Sequence, residues 1–374
     1  GYYMINKNRL SVLAIAALIT VSLAACSSGK KESAAGSQTS AAQVDENQTS
    51  GTQTTDTSAG DTAGKDAVKL ITSTSQLPGA STQLLQSRIS EVSEQKGGGN
   101  FQFEHYDSAT LFKSSAELGA LLDGNIDIGF IQLGYFYDNG ALWANMFDIA
   151  FLYDDVDDMM QVLDTQGEVG KWVQDQIWDE FHVKVIAPFY LGRRDVWLSD
   201  GSLTVQTPED LKGVKIRMPN SASFLDMGTA IGAEPTPLDS SETYLAMQTG
   251  TVDAQENIIL SSYANAMQEV SKSIVMTDHM ITANLVCVNG DKWENMTPEQ
   301  QELLTQVIRE AVEQNNQDVM AEEAKILDEC VEKYGINLQE PDKDAFKEYA
   351  FKYYLSNPDN EKNWNMDIFN EIIK

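Results

Sequence analysis

The sequence predicts an α/β protein of two lobes, and three observations carry that prediction. Strands alternate with helices from Ala67 to Ile131, the same logic returns from Thr207 to Gln255, and one helical pattern of nearly forty residues follows Thr297. Strands and helices alternating at this spacing predict a parallel sheet covered on both faces. A helix of that length is too long for one small lobe and is expected to run across both.

The elements follow in order. Ala67–Thr72 (AVKLIT) reads as a first strand, then a polar turn, then a helix from about Ser81 to Gln95. GGGNFQFEHY is a glycine-rich turn into a second strand, and a helix over Ser114–Leu122 leads through Asp123-Gly124 into a strand at Ile126–Ile131. In TPEDLKG, Thr207 is a cap, Pro208 stands at the first helical position and Gly213 stops the turn. Val214–Met218 (VKIRM) is a strand ended by Pro219, helices follow at about Ser221–Ile231 and Ser241–Gln248, and TVDAQ is a short strand after Gly250. LLDGNIDIGFIQ and MQTGTVDAQEN both read helix, glycine, aliphatic, aspartate, strand, polar end, so we read them as one unit used once per lobe. The long helix opens on a capping box, TPEQ, and carries Leu304, Val307, Ile308, Ala311 and Val312 at helical spacing.

The first 67 residues have a different character. Lys7 and Arg9 precede an apolar run, Leu10–Ala25, the layout of a secretory signal and short for a membrane span of about 20 residues. Residues 27–67 are mostly Ser, Thr, Gly, Ala, Gln and Asp, which cannot bury enough surface to order themselves. They read as a tether with a reach of roughly 35 Å. The remaining residues, 68–374, suffice for two cores.

Composition and motifs exclude several functions. A net charge of −30, spread along the chain, argues against nucleic acid as a partner. The three histidines, His105, His182 and His279, have no metal-ligand spacing to one another or to a cysteine. There is no nucleophile elbow and no phosphate loop, so no enzyme or cofactor is expected, and nothing in the sequence demands a metal. Beyond Cys26, Cys287 and Cys330 are too few for a disulfide scaffold; they read as buried thiols, with a single pairing as the alternative.

Arg217 in KIRMPN is the candidate that carries chemistry. It sits at the carboxyl end of its strand, the edge outside which open α/β sheets bind ligands. A guanidinium there offers a planar fork that grips a carboxylate with two parallel bonds. A structural salt bridge is the competing reading.

The stretch from Asp210 through Asn257, with its LKGVKIRMPN, GAEPTPL and MQTGTVDAQEN segments in that order, resembles the solute-binding subunits of tripartite ATP-independent periplasmic (TRAP) transporters, the DctP-type family. Met146–Gly170 and LLDGNIDIGF extend the resemblance over roughly residues 68–340. It implies a periplasmic-binding-protein-like fold with a ligand cleft between the lobes and a long helix beneath both. Lobe I is expected at about 68–191 and 280–322, lobe II at about 192–279 and 323–374.

It also implies a small organic acid as ligand, held by Arg217 and delivered to the permease membrane subunits. Position by position, Arg194, Asn220, Asn257, Gln132, Asn284 and Phe130 match the family's pocket, with a hinge salt bridge as the competing reading for Arg194, while Asp253 and Glu256 are expected to serve backbone and lobe contacts. LAAC at Leu23–Cys26 is similar to a lipobox, which makes residues 1–26 a lipoprotein signal peptide and Cys26 the lipidated residue. The protein is then exported and lipid-anchored to the outer face of the cytoplasmic membrane. The chain departs from the pattern at Ala254, Ile258, Ser240 and Trp197, and LFKSSAE lacks the usual acidic and basic residues unless Glu117 substitutes with a shift. The ligand therefore stays open among C4-dicarboxylates, sugar acids, keto acids and sialic acid. A ligand-sensing lipoprotein of the same fold, feeding a signalling partner, is the alternative function.

Overall fold

The computed structural model describes residues 67–373; the signal segment, almost all of the tether and Cys26 lie outside them. The described chain is built on one sheet of nine strands. They are β1 (Val68–Ser73), β2 (Phe101–Tyr106), β3 (Ile128–Ile131), β4 (Val183–Leu198), β5 (Lys215–Met218), β6 (Glu234–Pro237), β7 (Ala254–Ile258), β8 (Ser273–Asn289) and β9 (Asn337–Gln339). Their order is β2-β1-β3-β8-β4-β7-β5-β6, with β9 beside β8.

This order corrects the expectation of a purely parallel sheet. Two parallel blocks, β2-β1-β3 and β7-β5-β6, are joined by a central antiparallel pair, β4 and β8. That pair is 16 and 17 residues long. One block attaches to β8 through β3, and the other attaches to β4 through β7, both antiparallel. The two lobes are thus halves of a continuous sheet. β4 shifts register against β8 between Val185 and Ala187, between Tyr190 and Gly192, and between Arg194 and Val196. Such bulges bend a strand and raise its twist. Gly192 adopts φ +145°, and a Cβ there would stand 2.8 Å from Ile258 Cβ.

The repeated unit is real in atomic detail. Gly124 and Gly250 both have φ +70° and end their helices. The Ile71 backbone N–H donates to Asp127 Oδ2 at 2.7 Å while the Asp127 N–H donates to the Ile71 carbonyl at 2.8 Å. Lys215 and Asp253 make the same reciprocal pair at 2.9 and 2.8 Å. Each aspartate thus closes the end of a parallel ladder before its strand begins. For that reason the TVDAQ strand starts late, at Ala254, and takes in Glu256 and Asn257. The helix expected from TPEDLKG is one 3-10 turn, Pro208–Leu211, inside its capping box.

The long helix spans Pro298–Tyr334, 37 residues or about 55 Å at 1.5 Å each. Thr297 and Gln300 close its capping box, and Gly335 at φ +65° ends it. Leu304, Val307 and Ile308 pack into one core with Leu70, Leu85 and Ile128. Val319, Ile326 and Cys330 pack into the other, with Ile274 and Ile336. The helix therefore belongs to both cores, as its length demands. Cys287 and Cys330 are both free and buried. Among the described residues no helix is long and apolar enough to cross a membrane.

Candidate functional site

The strand ends of both blocks converge on one cavity of about 100 Å³. β3 contributes Phe130 and, just past it, Gln132; β4 contributes Leu191 and Arg194; β5 contributes Arg217; β7 contributes Asn257; β8 contributes Asn284. Among the described residues its only charged lining side chains are Glu117, Arg194 and Arg217.

The two arginines are in different electrostatic states. Arg194 is buried and grips Glu256, its Nε donating to Oε2 at 2.5 Å and its Nη2 to Oε1 at 2.7 Å. His279 Nε2 lies 3.2 Å from the same carboxylate, and its Nδ1 lies 2.8 Å from Thr277 Oγ1. The Arg194 guanidinium also lies over the Phe224 ring at 4.7 Å. Burial alone pushes the Glu256 carboxyl up, but the charge and hydrogen bonds of Arg194, joined by His279, outweigh it and hold the group at about 2. Glu256 is thus ionised and its charge cancels that of Arg194.

Arg217 has no such partner. It is 3% exposed, and its Nε and Nη2 donate to the Leu238 carbonyl at 3.0 and 2.8 Å. Among the described residues no carboxylate forms an ion pair with it. Burial lowers its pKa to about 10, with the charge of Glu256 acting against that shift, so it stays charged at neutral pH. A buried guanidinium without a carboxylate partner at the carboxyl end of a strand is chemically suited to hold an anion.

The rest of the lining mixes apolar side chains, Phe130, Leu191, Pro219 and Phe224, with polar ones. Glu117 is buried, one oxygen held by the Ser75 backbone and Oε1 without a protein partner. Burial pushes its carboxyl up to about 8, so it is mainly protonated at neutral pH. Asn284 donates from Nδ2 to the Phe130 carbonyl at 2.9 Å, which leaves its Oδ1 unpartnered. Ser261 Oγ is unpartnered too. Behind Gln132, Asp148 accepts from the Gly134 N–H at 2.5 Å, and burial raises its carboxyl to about 7 against the pull of that bond, Gln132 and Arg194.

Of the residues singled out from the sequence, Arg217, Arg194, Asn257, Gln132, Asn284 and Phe130 line the cavity together. Asn220 does not. It is exposed, and Pro219 forms the wall at that point, because the chain turns outward after β5 into the helix at Ala222. Trp197 is fully buried on β4, opposite Gln255, and is wall, not lining. Residues that the sequence reading missed include Tyr135, Ser261 and Asn265. The repeat contained a signal for two of them: the offset that maps Gly124 onto Gly250 and Asp127 onto Asp253 also maps Tyr135 onto Ser261.

Two other features stand apart. A groove of about 670 Å³ lies between the Val156–Leu163 helix and the long helix, but its Arg309 is already paired with Asp164. His182, Asp291 and Glu294 bring ligand-type atoms within 4.8 Å of one another on the surface, a trio that linear spacing did not reveal.

Comparison with known proteins agrees with this architecture. A family model described as bacterial extracellular solute-binding protein, family 7 (DctP), matches residues 78–357. The sialic acid-binding periplasmic protein of Vibrio cholerae is 27% identical, over 72% of this chain and 80% of the relative. The 2,3-diketo-L-gulonate-binding periplasmic protein of Escherichia coli is 28% identical over the same two shares, 72% and 80%. A TRAP periplasmic solute-binding protein of Roseobacter denitrificans, crystallised with 3-deoxy-D-manno-oct-2-ulosonic acid, superposes with a TM-score of 0.76 at 25% identity, covering 82% of this chain and 99% of that one. The two blocks joined by shared long strands, the helix that serves both cores and the match over residues 78–357 together place the chain in the DctP family of TRAP solute-binding proteins.

Proposed function

We propose that the protein is the extracytoplasmic solute receptor of a TRAP-type secondary transporter. It binds a small organic anion by its carboxylate and delivers it to the membrane permease, without catalysis. The observation that carries this is the uncompensated buried charge of Arg217 in a cavity lined from both blocks. The relatives point the same way, since those of Vibrio cholerae and Escherichia coli bind sialic acid and 2,3-diketo-L-gulonate.

Two lobes, about 68–191 with 280–322 and about 192–279 with 323–374, close over the ligand. The register shift at Tyr190/Gly192 and the left-handed Asp278, φ +43°, lie at the proposed crossings, which supports this division. Glu323 stands at the third crossing and accepts from the Tyr190 hydroxyl and the Arg193 N–H at 2.7 and 2.9 Å. Arg194, Asn257, Gln132, Asn284 and Phe130 complete the ligand contacts around Arg217. Lipidation at Cys26 holds the receptor at the outer face of the cytoplasmic membrane.

A thermal-shift screen of the purified protein against mono- and dicarboxylates, sugar acids and neutral sugars tests the receptor reading. A ligand at a hundred times its dissociation constant adds about 2.7 kcal/mol. Stabilisation by an acid, lost in Arg217→Ala, is the expected result; stabilisation by neutral compounds alone refutes it. Membrane association of the expressed protein, lost in Cys26→Ala, tests the anchor.

A further inference from the structure

The charge count and the unpaired atoms of the cavity narrow the ligand further. Three charged residues line it, and Arg194 is cancelled by Glu256 at 2.5 and 2.7 Å. Among the described residues that line the cavity, Arg217 is the cation left without a carboxylate partner, and neither Glu117 nor Asp148 can add positive charge to it. A ligand with a single carboxylate leaves the buried site neutral. A ligand with two leaves an uncompensated negative charge beside Glu117, and an unpaired charge in a buried site is strongly disfavoured.

Hydrogen bonding gives an independent constraint. Asn284 has its amide orientation set by the bond from Nδ2 to the Phe130 carbonyl, so the unpartnered atom is an acceptor, Oδ1. A carboxylate has no proton to give it; a hydroxyl does. Ser261 Oγ and Glu117 Oε1, also unpartnered, are served by groups that donate and accept. Ser114, Tyr135, Asn257 and Asn265 add further neutral polar groups to the same wall.

We infer that the ligand is a polyhydroxylated monocarboxylate, a sugar acid with one carboxylate on Arg217 and hydroxyls on Asn284, Ser261 and Glu117, and that dicarboxylates are rejected. This rests on the receptor reading above and specifies its substrate class. Asn284 is then a specificity residue, because its free Oδ1 requires a donor, and Glu117 Oε1 is a second buried polar atom that a hydroxyl can serve.

The test is isothermal titration of the purified protein at neutral pH with three sets of probes. The first is a panel of sugar acids of four to nine carbons, including gluconate, galactonate and galacturonate. The second is succinate and malate, and the third is propionate and galactose. At least one sugar acid is expected to bind at least about a hundredfold more tightly than every compound in the other two sets, since a site built for hydroxyls rejects analogues that lack them, and a second carboxylate finds no unpaired cation among the lining residues. Succinate or malate within tenfold of the best sugar acid overturns the charge count and leaves the receptor reading standing. Propionate within tenfold overturns the hydroxyl requirement. Binding of galactose alone, or of no acid at all, overturns the receptor reading and this inference with it.

Discussion

Replacing Arg217 with alanine tests the central claim most directly. The side chain is 3% exposed, points its Nε and Nη2 at the Leu238 carbonyl, and has no carboxylate partner among the described residues. A ligand carboxylate bound here therefore meets a full, desolvated charge. Truncating one partner of such a pair costs about 2–5 kcal/mol. At about 1.4 kcal/mol per factor of ten, that is a loss of roughly 30-fold to several thousand-fold in affinity. The assay is isothermal titration of wild type and Arg217→Ala with the tightest acid from the screen, beside the thermal midpoint of each unliganded protein. The unliganded midpoint separates a lost contact from a lost fold. Arg217→Lys keeps the charge but not the planar fork, and is expected to fall between the two. A folded Arg217→Ala variant with unchanged affinity refutes the anion role of this residue.

Three further outcomes follow from the same geometry. Glu256→Gln removes the buried partner of Arg194 and leaves that guanidinium unpaired; urea denaturation is expected to show a loss of about 3–5 kcal/mol, and a loss below 1 kcal/mol would mean that the pair is dispensable. Glu117 has a folded pKa raised by burial from 4.5 to about 8, so its contribution to stability is fully present below pH 4.5 and is lost as pH rises through about 8. Glu117→Gln is therefore expected to gain stability over wild type between pH 5 and pH 8, with an upper bound of about 5 kcal/mol. Affinity for an acid is expected to fall above pH 8 in wild type and to stay flat in the variant; parallel curves would refute the assignment. Gly192→Ala places a Cβ at φ +145° against Ile258 and 3.0 Å from Glu323 Oε1, so the thermal midpoint is expected to drop by several degrees.

How much of this was legible in the sequence depends on the range of the interaction that each feature rests on. The long helix was legible because its capping box, its apolar spacing and its terminal glycine are local. The repeat was legible because Asp127 and Asp253 each follow their glycine at the same spacing and do the same job on the backbone. The carboxyl-end position of Arg217 followed from the alternation in VKIRM and the proline after it. The central pair was not legible: β4 is buried along nearly its whole length, so it shows no alternation, and its antiparallel partner lies far along the chain.

The site divides along the same line. The sequence by itself put Arg217 at the carboxyl end of its strand, and the family resemblance added Arg194, Asn257, Gln132, Asn284 and Phe130, which line the same cavity. It also carried the family, since the ordered motifs of residues 210–257 survive in the chain. Only the tertiary structure decided which arginine is left without a carboxylate partner. Arg194 and Glu256 are far apart in sequence and meet because β4 and β7 pair, whereas Arg217 finds only a carbonyl. It likewise decided that Glu117 comes within the cavity while Asn220, next to Pro219, faces outward. Charge compensation and burial are properties of neighbours in space, and a linear pattern of residue types does not encode them.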